Sequence, residues 1–317
     1  MAYNNRMPAP SPAPLSRKVT IGDLRAARRS GERVPMLTCY DFSTARLMQE
    51  AGVPALLVGD SAANVILGHP TTLPVSLAFM IEITAAVRRG APLALVVADM
   101  PFGSYQGSVA RGTRNVFRMV KRTACDCVKL EAGECTLPLI RELADAGVAV
   151  MAHLGLRPQS VGVVGGYRYQ GRTAVEAREI ADIAERMEAA GAVALLLEAV
   201  PAEVGQAVVE AVQVPVIGCG AGPHCHGSVV VTHDAVGLSG PGSKPRFVPT
   251  LGDLAAPSVA CFAEYADAVR SGRYPAPEHQ YAMSDGERQK LAAPAGAGEA
   301  AGSAPAPFPR QSAASSR

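Results

Sequence analysis

Short apolar runs alternate with longer amphipathic stretches along most of this chain, and the hydrophobic period shifts at each alternation. The runs VPMLTCYD (34–41), PALLVGD (54–60), LALVVAD (93–99), CDCVKLEAG (125–133), VAVMAHLG (148–155), VALLLEAV (193–200) and VPVIGCGAG (214–222) are dominated by Val, Leu and Ala. Brief apolar runs of this kind predict parallel strands covered on both faces. Helical stretches separate them: 42–52, Leu77–Arg89, Ala110–Ala124, 136–147, Ala174–Ala190 and 202–212. In 174–190 charged residues surround Ile180, Ile183 and Met187, the pattern of a helix burying one face. A weaker unit near Val229–Leu238 completes the series. Repeated βα order predicts a parallel sheet, and seven clear units plus a weak one favour a closed (β/α)8 barrel over an open sheet.

The window 17–284 matches the ~250 residues typical of such a barrel. Residues 1–16 are rich in Pro, Ala and Ser and are expected to be disordered. Residues 285–317 form a low-complexity tail with almost no large apolar side chains, too little to offset ordering entropy. A hydrophobic fraction of 48% can fill a core, yet no apolar run reaches the roughly 18–20 residues of a membrane span. The first residues lack the continuous apolar stretch of a secretory signal, so a cytoplasmic protein is expected. Net charge is only +2, Trp is absent and aromatics are 5%, which argues against nucleic acid as a partner.

Seven cysteines without a framework pattern predict reduced thiols. Cys125 and Cys127 are expected on one strand face, where packing accounts for them. The segment 222–226, Gly-Pro-His-Cys-His, carries the soft ligands zinc prefers. No second cluster accompanies it, so a zinc site is not expected.

Four of the runs end in an acid: Asp60, Asp99, Glu131 and Glu198. The carboxyl ends of parallel strands are where α/β folds bind ligands. Asp60, Asp99 and Glu131 come from successive strands, spaced by about 4.8 Å per step. Carboxylates converging there repel one another unless a cation or shared protons compensate. Hard oxygen donors suit Mg²⁺, which gives an expected metal site of Asp60, Asp99 and Glu131. A helix cap is the bland reading of each acid, though Glu131 is a poor capping type. Lys129 lies two residues before Glu131 and so points the same way, toward an anion or a carboxylate. Anion binding or enolate stabilisation is its sharper reading, and Schiff-base chemistry a weaker one. His153 either polarises a carbonyl or bonds a rim backbone group. Glu198 has apolar neighbours that should raise its pKa, as befits a general base or acid. Gly218, Gly220 and Gly222 could let backbone approach a phosphate or a ring. The polar loop Gly165–Arg172 has the length of a lid over the mouth.

The motifs VGDS (58–61), TLPV (72–75), ADMPFGSYQ (98–106), VKLE (128–131), HLGL-x-PQSV (153–161), GGY-x-x-QGR (165–172), LLLE-x-VP (195–201) and GAGPHC (220–225) resemble those of ketopantoate hydroxymethyltransferases. The resemblance runs from about Val19 to Tyr274. It implies a (β/α)8 barrel of the phosphoenolpyruvate mutase/isocitrate lyase type and a homo-oligomer, a homodecamer. It implies hydroxymethyl transfer from 5,10-methylenetetrahydrofolate to 3-methyl-2-oxobutanoate in pantothenate synthesis. By the same resemblance Asp60, Asp99 and Glu131 hold Mg²⁺, Asp60 and Asp99 also lie against the substrate, Ser61 and Lys129 bind the oxo acid, and Glu198 accepts the proton. Ala62-Ala63-Asn64, Ala132, Tyr169 and His226 depart from the family's usual residues. A paralogue using another 2-oxo acid, or a C–C lyase or mutase of the superfamily, therefore stays open; a non-catalytic assembly subunit would not keep the acids.

Overall fold

The computed structural model describes residues 13–166, 168–240 and 244–293. Eight parallel strands close into a barrel in sequence order: β1 (Val34–Thr38), β2 (Ala55–Val58), β3 (Leu95–Asp99), β4 (Cys127–Glu131), β5 (Val150–Gly155), β6 (Ala194–Glu198), β7 (Val216–Cys219) and β8 (Gly227–Val230). Closure is made by β1 on β8, with Met36 opposite Val229. The weak eighth unit is thus real, but its strand starts at Gly227 and its helix is one turn, Thr232–Ala235.

Alternation along each strand sorts the apolar residues into two clusters. Leu95 and Val97 of β3, Cys127 of β4, Met151 of β5 and Leu196 of β6 fill the barrel interior. Val96, Ala98, Val128, Leu130, Leu195 and Leu197 face outward against Met80, Met119, Ile140 and Met187 of the surrounding helices. Cys125 and Cys127 do not share a face: Cys125 belongs to the outer cluster and Cys127 to the inner one. The reason is that β4 begins only at Cys127, so Cys125 lies outside its alternation.

One helix, Ile21–Ser30, was not predicted. Its Leu24 and Ala27 join the interior cluster, so the helix plugs the amino-terminal end of the barrel. At that rim Asp126 accepts hydrogen bonds from Lys18 (2.6 Å), Arg88 (2.8 Å) and the Val96 N–H (2.8 Å). Conserving stability, not chemistry, is the usual work of that end.

The expected window 17–284 divides in the structure: the barrel unit ends at Ala256 and a second unit starts at Pro257. In the second unit the rings of Tyr265, Tyr274 and His279 pack in sequence at tilted angles, with centroids 5.5 and 5.1 Å apart. A helix, Asp285–Ala292, occupies the start of the expected tail. Asp285 and Glu287 in its first turn and Lys290 in its last complement the helix dipole, a local signal that composition does not capture. Of the expected disordered segments 1–16 and 285–317, residues 1–12 and 294–317 lie outside those described, whereas Leu15 packs against the outer cluster and its N–H donates to the Gln49 carbonyl at 3.5 Å. Among the described residues no helix is long and apolar enough to cross a membrane.

Candidate active site

The interior-facing positions continue upward past the apolar layer and become polar at the carboxyl ends of the strands. Asp99 stands above Val97, Lys129 and Glu131 above Cys127, His153 above Met151, and Glu198 above Leu196. Asp60 and Ser61 follow β2 in the adjoining turn. Asp60, Ser61, Asp99, Lys129, His153 and Glu198 line one cavity of about 1370 Å³. That exceeds the ~300–1,000 Å³ of ordinary ligand pockets and leaves room for two substrates.

Lys129 is the hub of the charges. Its Nζ lies 2.7 Å from Asp99 Oδ1, with the two side chains only 5% and 3% exposed. It is also 3.1 Å from His153 Nδ1. An ammonium only donates, so Nδ1 accepts and the neutral ring carries its proton on Nε2. That Nε2 sits 3.3 Å from Glu198 Oε2 but makes no in-line hydrogen bond among the described residues. Asp99 Oδ2 accepts from the Asp60 N–H at 3.0 Å. The Ser61 hydroxyl pairs with Tyr40 at 2.8 Å.

Burial and crowding shift these groups. Desolvation lifts the Glu198 carboxyl to about 7, with Lys129 pulling the other way. Desolvation lifts Glu131 to about 8, again against the pull of Lys129, with Asp60 and Asp99 adding to the rise. Burial also pushes Asp99 up against Lys129. Burial alone would lower Lys129, but Asp99, Asp60 and Glu131 together hold its ammonium charged above the usual range. His153 is driven well below its ordinary value, first by burial and then by Lys129.

Ionising all three acids against one ammonium would leave two negative charges uncompensated, and burial with that crowding is what holds Asp99 and Glu131 toward their protonated forms. A divalent cation matches that excess, and hard oxygen donors suit Mg²⁺. Asp60 and Asp99 line the cavity, but Glu131 does not. Both Glu131 oxygens accept the Gln159 N–H, at 2.9 and 3.1 Å, because the turn Pro158–Ser160 folds over them. Among the described residues no group of three His, Cys, Asp or Glu is disposed to hold a metal ion. The site fits an ion held by Asp60 and Asp99, with substrate and water oxygens completing its shell.

The glycines of the seventh loop pack tightly against the protein, and Gly220 also lines the cavity. A Cβ on Gly220 would lie 2.5 Å from the Phe247 ring, one on Gly222 2.5 Å from Ala202 Cβ, and one on Gly218 3.0 Å from Cys225 Sγ. In the loop Gly165–Arg172, Tyr167 lies outside the described residues. Tyr169 lines the cavity, with the Arg172 guanidinium 5.0 Å from its ring centroid. The Gln170 N–H anchors the loop on the Ala199 carbonyl at 2.9 Å, next to Glu198.

Residues 18–277 match the family model for ketopantoate hydroxymethyltransferase. The chain belongs to that family. It is 45% identical to the 3-methyl-2-oxobutanoate hydroxymethyltransferase of Moorella thermoacetica, over 83% of this chain and 98% of that one. Against the Thermobifida fusca enzyme of the same name it is 44% identical, over 89% and 100%. The crystal structure of 2,3-dimethylmalate lyase, a PEP mutase/isocitrate lyase superfamily member, has a TM-score of 0.51 at 16% identity, covering 86% of this chain and 97% of that one. At that identity the likeness concerns the fold alone. The protein is thus an enzyme of the hydroxymethyltransferase type.

Seen within this family, the departures from its usual residues scatter. Ala62, Ala63 and Ala132 are buried and do not line the cavity. His226 lies before β8, at the opposite end of the barrel, where its Nδ1 accepts the Val216 N–H at 3.0 Å. Only Asn64 and Tyr169 reach the cavity. Sequence reasoning missed Tyr40, Tyr105 and Gln159, whose side chains bond the acids' neighbours or the acids themselves. They stood inside quoted motifs or beside strands, but nothing local marks a Gln or Tyr as buried.

Proposed function

We propose that this enzyme transfers a hydroxymethyl group from 5,10-methylenetetrahydrofolate to 3-methyl-2-oxobutanoate, giving 2-dehydropantoate as a Mg²⁺-dependent step of pantothenate biosynthesis. The observation that carries the reading is the charge order across one mouth: two cavity-lining carboxylates, a buried ammonium, and a separate acid raised to about 7. The names of the family relatives supply the substrate.

Asp60 and Asp99 would hold the ion, with Glu131 adding charge from behind. When bound, Mg²⁺ supplies Lewis acidity toward the carboxylate and keto oxygens of a 2-oxo acid, which acidifies the C3 proton. Ser61 and the Lys129 ammonium bind the oxo acid. Because Lys129 is held charged, its contribution is electrostatic, not covalent. Glu198 takes the C3 proton, and a base poised near neutrality is suited to take it and later return it. The Nε2–H of His153, 3.3 Å from Glu198 Oε2 but not aligned on it in this structure, would stabilise ionised Glu198 once turned toward it. The methylene bridge opens by breaking one of its two carbon–nitrogen bonds, and C3 bonds to the one-carbon unit. The second carbon–nitrogen bond breaks as water adds its oxygen to that carbon; the C3 proton and the remaining proton of water end on the two folate nitrogens of tetrahydrofolate.

The reading places the enzyme in the cytoplasm as a homo-oligomer, by family resemblance a decamer. Self-association is supported by the helix Ala255–Arg270, which exposes Val259, Phe262, Tyr265 and Val269. The deciding experiment supplies purified, EDTA-stripped protein with methylenetetrahydrofolate and a panel of 2-oxo acids, with and without Mg²⁺. Turnover should require Mg²⁺ and favour 3-methyl-2-oxobutanoate in kcat/KM. A clear preference for another oxo acid would redirect the assignment to a paralogue.

A further inference from the structure

Gln159 sits on the turn Pro158–Ser160, just beyond β5, and is 6% exposed. Its backbone N–H and both ends of its side-chain amide are all engaged. The backbone N–H holds both oxygens of Glu131, at 2.9 and 3.1 Å. The side-chain Nε2 donates to Asp60 Oδ2 at 2.8 Å and to the Met100 carbonyl at 3.0 Å. The side-chain Oε1 accepts from the Tyr105 hydroxyl at 3.0 Å and from Gln106 Nε2 at 2.8 Å. Two donors onto Oε1 leave the amide one orientation, since a flipped amide would set NH₂ against NH₂ and OH donors. The residue therefore acts as a rigid bracket between two acids that come from different strands.

We propose that Gln159 is the positioning residue of the cation site. It takes one oxygen of Asp60 and leaves Oδ1 for the ion. It also withholds Glu131 from direct ligation, so that this acid contributes only its charge. Such outer partners orient a ligand, lower its freedom and set its basicity. The proposal rests on the Mg²⁺ reading above, and its test separates the two.

Binding of Mn²⁺ to the protein without substrates, followed by water-proton relaxation, measures the site apart from turnover. Gln159→Met keeps length and burial while removing the amide. It should weaken Mn²⁺ binding by about ten-fold or more, the usual effect of losing such a partner. The half-saturating Mg²⁺ concentration in the assay should rise in parallel, and KM for the folate should not. Gln106→Ala removes one donor to Oε1 from an exposed position and should weaken binding by a smaller factor with Tm unchanged. A Gln159→Met protein with lowered Tm but wild-type Mn²⁺ affinity would show a merely structural residue and overturn the proposal. If that variant does not fold, Gln106→Ala and Tyr105→Phe decide, and unaltered affinity in both overturns it. Wild-type protein that binds no Mn²⁺ and needs no Mg²⁺ would instead sink the cation reading itself, and the proposal with it.

Discussion

Glu198 decides how pH acts on the chemistry. Its carboxyl is raised to about 7 by burial, and a base must be ionised to work. Exchange of the substrate C3 proton with solvent should therefore climb with pH and level off above about 7, even without folate. Glu198→Gln should slow that exchange by about 10²–10⁴-fold, as read by proton NMR in D₂O. Undiminished exchange would move the base to another group. Lys129 gives a second outcome at this scale. Asp99 at 2.7 Å and His153 at 3.1 Å hold its ammonium from both sides. Borohydride added during turnover should leave no reduced adduct on Lys129 by mass spectrometry, because a Schiff base needs the neutral amine. These two residues were legible in the sequence because a charge inside a short apolar run is costly without a purpose. Gln159 was not: its partner Asp60 is 99 positions away, and only the closed barrel brings them together.

The helices show why the barrel was readable and where the reading stopped. Helices between strands carry apolar stripes that match the outer cluster, as with Ile140 and Leu143 of Leu137–Asp145. The plug helix Ile21–Ser30 buries only Leu24 and Ala27 among charged residues, too thin a stripe for periodicity to reveal. One close approach between helices can be tested directly. A Cβ on Gly90, at the end of Leu77–Gly90, would lie 2.3 Å from the Phe42 carbonyl oxygen and 2.9 Å from Ala45 Cβ. Gly90→Ala should force that helix from Phe42–Glu50 and cost about 1–3 kcal/mol, visible as a lower denaturation midpoint. Gly286→Ala, with nothing within 4 Å of the added carbon, should leave the midpoint almost unmoved. Equal effects of the two substitutions would refute the packing argument.

Over the whole molecule the buried acids couple stability to pH. Glu131 and Glu198 bind protons more tightly folded, at about 8 and about 7, than their ordinary value of 4.5. Their stabilising contribution is full below that ordinary value and is lost as pH rises through the folded ones. His153, His226 and His233 are lowered by burial from 6.5, so they oppose this trend only below that pH. Between pH 6.5 and 8 the acids act alone, and Tm without added metal should fall as pH rises. Mg²⁺ should flatten that slope, since it favours the ionised site; a slope indifferent to Mg²⁺ would count against a cation there. The two-residue alternation that stacks Lys129 and Glu131 on Cys127 has one more consequence. Each strand behaves like a reading frame shared by core and chemistry. A single residue inserted early in β4 would turn Val128 and Leu130 into the mouth and send Lys129 among the outer helices. Length changes inside a strand are therefore frameshifts for the site.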